Sequence, residues 1–479
     1  MTDSSRLQAS FDFLDQLYRR PILPPARAGL ARIEYLLQRL DNPHQDFPSI
    51  HVTGTCGKGS TATMIASILQ AAGYRTGLFR SPHLDTYRER IAIDSTIVDS
   101  DTWSDVFEQV RVLAEAMEAD EAPDYKLGRP SLFELVWAMG ALHFSRAGVD
   151  ISVVEVGVGG RLSPTNVLQP HVSVLTNVSL DHTAVLGPTE TEIAREKAQI
   201  IKPGSSAITA ASQPEVLDQI RRRCQETGSS LWMVGQEITS TIRSHDLLGE
   251  VFDIRTPGRS HRDLSVGLLG RHQVTNASTA VGAIDQLMSR GFAVTSANVR
   301  DGLASVRFPG RFEIVSEEPL IVLDGARNVA SARVLRETLD DLFPDHPVTL
   351  VIGVLGDKDA FGIVDELAPR AHTAVVTDPP WEGRAGDPVH LITALGAAIH
   401  HVRYEADIAR ALELAIGDMQ SSDLILVTGS MYLVAAVRHI ILGDATSVLQ
   451  VRDRAAVAAA GQGAEARHLM PPVVSSDRT

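Results

Sequence analysis

Three glycines and a lysine crowd into HVTGTCGKGST, residues 51–61. Gly54, Gly57 and Gly59 would let backbone N–H groups converge on phosphate oxygens, with Thr55 in the same loop, and a following helix would add its dipole. Lys58 supplies a point charge for β- and γ-phosphates, and Ser60 or Thr61 a hydroxyl for phosphate or magnesium. An ordinary Gly-rich strand-to-helix turn is the plainer alternative. Downstream, RSPHLDTYRERI sets Ser81, Pro82 and His83 just past an apolar run. VVEVGVGGRLSPTNV closes another run with Glu155 and follows it with Gly157, Gly159 and Gly160, while TNVSLDHTAVLG places Asp181 and His182 after a third. A carboxylate at the end of a hydrophobic strand is costly unless it meets a cation. Glu155 and His182 are thus candidate ligands for one divalent ion, against a salt bridge and a structural imidazole as the bland readings. Lys197, in EIAREKAQIIKPG, reads by itself as an exposed, salt-bridging lysine.

These residues need strands to end where they begin. SIHVTG reads as a strand, STATMIASILQAAG as a helix stopped at Gly73, and RTGLF as the next strand. Such a strand, loop, helix, strand unit is the context a phosphate loop requires. VDISVVEVG, HVSVLTNVS and SSAITA continue the alternation, with SLFELVWAMGALHFSRAG as a helix. The fold class is α/β: a doubly wound, largely parallel sheet carrying the loop, over residues 1–300. After a linker at 301–310 (DGLASVRFPG) the pattern restarts. PLIVLDG, VTLVIGVLG, TAVVTD, HHVRYE and DLILVTGS alternate with amphipathic segments such as ASARVLRETLDDLF, giving a smaller Rossmann-like α/β domain over 311–445. Residues 446–479 are expected to form a flexible tail.

Bulk properties narrow the function further. A chain of 479 residues exceeds one ordinary core. Its 44% hydrophobic and 22% charged residues are globular proportions. A net charge of −15 argues against sequence-independent nucleic-acid binding but allows a local pocket for a small anion. Two cysteines, Cys56 and Cys224, make no disulfide framework, and no apolar run is long enough to span a bilayer. A cytoplasmic protein without membrane partners is expected.

Ten strings taken in order resemble one family: HVTGTCGKGS, SPHL…ERI, EVGVGGRLSPTN, TNVSLDHT, IAREKAQIIKPG, GRHQVTNA, PGRFE, LDGARN, DKD and VTGSMYLV. From about residue 30 to 440 the chain is similar to the folylpolyglutamate synthase/dihydrofolate synthase family of Mur-ligase-type ATP-dependent amide ligases. The resemblance implies that Lys58 and the loop amides hold ATP phosphates, and that two magnesium ions bind, one at Ser81 and Glu155, the other at Glu155 and His182. It implies a carbamoylated Lys197, nucleotide contacts from Gln273, Asn276, Arg311 and Asp324, and contacts with substrate from His83, Arg161, Ser163, Lys358 and Ser430. The implied substrates are a folate or related acid and L-glutamate, joined by a monomer through an acyl phosphate. Four positions depart from the pattern. Cys56 replaces an asparagine. Ser163 replaces an aspartate tied to pterin binding, which weighs against dihydrofolate synthase activity more than against polyglutamylation. Arg327, counted with the catalytic residues, and Val329 replace a histidine and a proline; the arginine can steady anionic oxygens but shuttles no proton near neutral pH. A Mur-type ligase for a non-folate acid, or an inactive nucleotide-binding relative, are the alternatives.

Overall fold

The computed structural model describes residues 3–19, 30–119, 127–381, 384–420 and 422–443. The segment read as a tail, 446–479, lies outside them, as does the Pro-rich string at 21–25. The first sheet contains β1 (Ser49–Thr53), β2 (Thr76–Phe79), β3 (Ile91–Ile93), β4 (Thr96–Ile97), β5 (Ile151–Glu155), β6 (Val172–Leu175), β7 (Ser206–Thr209) and β8 (Ser230–Met233). Their order across the sheet is β4-β3-β2-β5-β1-β6-β7-β8. Pairing is parallel from β2 to β8, and antiparallel only where β3 joins β2 and β4 joins β3. Every residue of β1 and β5 is buried, as continuous apolar runs covered on both faces require. One face packs against the helices Lys58–Ala71, His272–Met288 and Ser296–Ser305. The other packs against Asp3–Arg19, Ala31–Arg39, Ser100–Ala119 and Leu132–Ala147.

The second large sheet contains β12 (Glu313–Glu317), β13 (Leu320–Leu323), β14 (Val348–Ile352), β15 (Ala371–Val376), β16 (His401–Tyr404) and β17 (Leu424–Thr428), ordered β12-β13-β17-β14-β15-β16. All pairs but β12–β13 are parallel. Cores on both faces of this sheet complete the α/β architecture expected from sequence. The helix Ser296–Ser305 packs on Lys58–Ala71 and so carries the first body five residues into the segment read as a linker.

Between the two lies an element that the hydrophobic pattern does not announce. Strands β9 (Thr239–Asp246), β10 (Gly249–Thr256) and β11 (Arg259–Val266) form an antiparallel sheet that lays Phe252, Ile254, Leu264 and Val266 into the first core. β9 reads TSTIRSHD and is mostly exposed, and register shifts interrupt both pairings. Neither feature leaves a clean two-residue alternation.

Candidate active site

The parallel strands place the candidate residues at one edge, because β1, β2, β5 and β6 all run toward it. Beyond β1 the chain turns into the helix Lys58–Ala71 through Gly57, whose φ of 78° is left-handed. At Gly54 (φ 149°) a Cβ would collide with Thr176 Oγ1. The loop is tied to the segment after β6: Thr55 N donates to Asn177 O at 2.9 Å, Cys56 N to Asn177 Oδ1 at 2.8 Å, and Thr176 Oγ1 to Cys56 O at 2.6 Å. The amides of Gly57, Lys58, Gly59 and Ser60 find no acceptor among the described residues. These are the donors that a helix start leaves over. Thr61, one residue on, is fully buried and turned away from the cleft, whereas Ser60 lines it.

Lys58 Nζ donates to the carbonyls of Gly54 (3.1 Å) and Thr55 (3.3 Å), and burial lowers its pKa against the opposing pull of Glu155. Glu155 is the last residue of β5 and buried; its Oε2 accepts from Ser81 N at 2.9 Å. Burial pushes its carboxyl up, with Lys58 acting in the opposite direction. Lys197 is not the exposed lysine of the simpler reading. It is 4% exposed, and its Nζ donates to Gly54 O at 2.8 Å, so two lysines share one carbonyl. Burial lowers its pKa to about 7, with the Lys58 charge adding to the effect.

His182 has φ 50°, and burial lowers its pKa to about 4, leaving a neutral imidazole at physiological pH. Asp181 beside it joins the two large sheets' bodies. Its Oδ1 meets Lys358 Nζ at 2.8 Å and its Oδ2 accepts from Asn328 Nδ2 at 2.9 Å. Burial alone would raise its carboxyl, but His182 and Lys358 outweigh it and hold it well below the usual range.

A cleft runs from the loop to the second body, lined by Lys58, Ser81, Glu155, Arg311, Asp324 and Arg327. Gln273 and Asn276 also line it, bonded to each other at 2.9 Å, with Asn276 Oδ1 against Gly57. Asp324 accepts from the amides of Phe312 and Ala326, both at 2.8 Å, and stands as the charge partner of the half-buried Arg311. Other expected residues stand apart from these walls. Arg161 pairs with Glu196 at 2.8 Å on the surface, and His83 accepts from Arg90 at 3.0 Å. Buried Ser163 bonds Thr165 Oγ1 at 2.9 Å, which meets His51 Nε2 at 2.9 Å. Ser430 caps the helix Met431–Leu442, and Lys358 is held by Asp181. The sequence reading omits Asn177, Asn328 and His272, all of which line the cleft. Asn177 and Asn328 lie inside strings already singled out, just beyond strand ends, which is the signal that could have found them.

Two family descriptions match parts of this arrangement: the Mur ligase middle domain over residues 136–284 and the Mur ligase glutamate ligase domain over 310–431. The fold is that of a Mur-type ligase. The folylpolyglutamate synthase of Lacticaseibacillus casei is 35% identical over 86% of this chain and 94% of its own length. The dihydrofolate synthase/folylpolyglutamate synthase of Bacillus subtilis is 32% identical over 86% and 94%. A crystal structure of Mycobacterium tuberculosis folylpolyglutamate synthase, complexed with ADP and AMPPCP, superposes with a TM-score of 0.85 at 31% identity, covering 92% of this chain and 99% of that one. The chain belongs to the folylpolyglutamate synthase/dihydrofolate synthase family. Among the described residues no helix is long and apolar enough to cross a membrane.

Proposed function

We propose that this chain is an ATP-dependent ligase that joins L-glutamate to a folate-type carboxylate through an acyl phosphate, releasing ADP and phosphate. The observation that carries the reading is the cleft in which four unpaired loop amides, Lys58 and Glu155 face Arg311, Asp324 and Arg327. The loop amides and Lys58 would hold the ATP phosphates, Gln273 and Asn276 the base, and Asp324 the ribose. The acid's carboxylate would attack the γ-phosphate in line, and the glutamate amine would then displace phosphate from the acyl phosphate. Positioning and charge carry such a reaction, and orientation alone supplies roughly 7–11 kcal/mol. Arg327 is suited to steadying anionic oxygens of the intermediate, and Lys358 and Ser430 to the glutamate side. With residues of both bodies on the cleft, their closure would shield the acyl phosphate from water.

Magnesium fits the donor set. Glu155 is a buried carboxylate with one oxygen unclaimed, and His182 is a neutral imidazole. Among the described residues no cluster of three or more metal-binding side chains forms a protein-only cage. The ions, two in this reading, would neutralise charge on the transferring phosphoryl group. An amine with a pKa of about 7 is the form that can take up carbon dioxide, which supports a carbamoylated Lys197. We further propose that the protein works as a cytoplasmic monomer.

Ser163 favours reduced folate over dihydropteroate as the acid. The aspartate that Ser163 replaces is the one that the resemblance ties to the dihydropteroate pterin, and the Ser163 hydroxyl, bonded to Thr165, supplies no carboxylate in its place. Phosphate release from ATP with L-glutamate should be fast with tetrahydrofolate and slow with dihydropteroate, and absent with both in Lys58→Ala. Intact ATP binding without turnover on any folate would favour the non-folate ligase, and turnover in Lys58→Ala would remove the loop from the reading.

A further inference from the structure

Arg80 lies between β2 and Ser81, and nothing in the site as described uses it. It is 8% exposed, and its Nε donates to the main-chain oxygen of Glu89 at 3.3 Å. No carboxylate among the described residues forms an ion pair with it. The carboxylates whose fields reach it are those of Glu89 and Glu155. That of Glu89 accepts the amides of Leu84, Asp85 and Thr86 at 3.0, 2.7 and 2.7 Å, and that of Glu155 accepts Ser81 N. Among the described residues the terminal N–H groups of the guanidinium therefore have no acceptor. A buried cation in that state is unfavourable unless an anion arrives from outside.

Its surroundings say where that anion would lie. Arg80 Cζ is 5.0 Å from the centre of the Phe308 ring, and Arg311 Cζ is 5.1 Å from the same ring. Phe308 packs on the phosphate loop: a Cβ built on Gly59 would lie 2.8 Å from its ring and 3.5 Å from Glu155 Oε2. Two arginines thus flank one aromatic ring that lies against the loop and the strand-end carboxylate, and Ser81, Glu155 and Arg311 open onto the cleft. The ring supports a guanidinium through its π-face, and the planar fork matches carboxylate or phosphate with two parallel bonds.

We propose that Arg80 is an oxyanion ligand of the reacting site, receiving beside Ser81 and Glu155 either the acid substrate's carboxylate or the γ-phosphoryl group of ATP. The inference rests on the ligase reading above. Arg80 forms no covalent bond and transfers no proton; it holds negative charge next to Glu155 while the phosphoryl group moves.

The full-length protein and its Arg80→Met and Arg80→Lys variants would be titrated with magnesium–AMPPCP and with tetrahydrofolate, and melted without ligand. Arg80→Met removes an unpaired buried charge, so its ligand-free melting temperature should equal or exceed the parent's; a merely structural arginine would lower it. Affinity should fall at least about tenfold for one probe, AMPPCP if the phosphoryl group is the ligand and tetrahydrofolate if the carboxylate is. Arg80→Lys keeps the charge without the fork and should recover only part of the loss. If Arg80→Met binds every probe that the parent binds within about twofold, the inference is overturned. A lowered melting temperature with both affinities falling together overturns it as well. A parent that binds AMPPCP but no folate overturns the ligase reading alone, and the AMPPCP arm still decides the place of Arg80.

Discussion

Lys197 shows how one buried side chain ties stability to chemistry. Its amine titrates at about 7 in the fold, against 10.5 as the ordinary value. Between those two pH values the unfolded chain binds more protons here, so stability rises with pH across the window; below about 7 the penalty is constant. Lys197→Met should therefore raise the ligand-free melting temperature near neutral pH and flatten its rise toward pH 10. A variant that melts lower at neutral pH, with the same slope as the parent, would contradict this. Lys58 and Glu155, which line the cleft, were legible in the sequence because a lysine in a glycine-rich loop and a carboxylate at the end of an apolar strand stand out. The burial of Lys197 was not, because its partner Gly54 lies 143 residues away and a helix shows only its own periodicity.

At the scale of elements, the loop after β5 presses directly on the helix Glu190–Ala198. A Cβ at Gly160 would stand 2.5 Å from Glu196 O, 2.7 Å from Lys197 O and 2.9 Å from Lys197 Cα. Those atoms are backbone and cannot swing aside, so Gly160→Ala must shift the helix and with it the Lys197 amine. A cost of about 1–3 kcal/mol is expected, read as an earlier denaturation midpoint, together with a raised KM for ATP. An unchanged midpoint would show that the helix yields freely. The parallel strands and their helices were readable from apolar runs and turn residues. The β9–β11 sheet was not, since its outer strand is polar and its pairing is shifted by bulges.

For the whole molecule, the contact that matters is the one between bodies. Asp181 follows β6, whereas Lys358 and Asn328 belong to the second body. The side chains of the Lys358–Asp181 pair are only 6% and 9% exposed. Lys358→Met leaves that carboxylate buried without its cation and should cost about 3–5 kcal/mol at the junction. Turnover should fall, and small-angle scattering should show a larger radius of gyration; unchanged scattering and turnover would mean that the pair does not hold the bodies together. Such pairings were invisible in the sequence, which named Asp181 and Lys358 separately and gave no sign that they meet.

The two amines on the Gly54 carbonyl also set a threshold. Lys58 is engaged with Gly54 and Thr55, so an anion has to displace those bonds before it gains the lysine. A stray inorganic anion, touching only the loop, has little to offset that loss, whereas a triphosphate anchored by its nucleoside does. When Lys58 leaves, Lys197 still satisfies the carbonyl at 2.8 Å, so the loop keeps its shape while its charge changes hands. The second lysine is thus a placeholder for the first on that carbonyl.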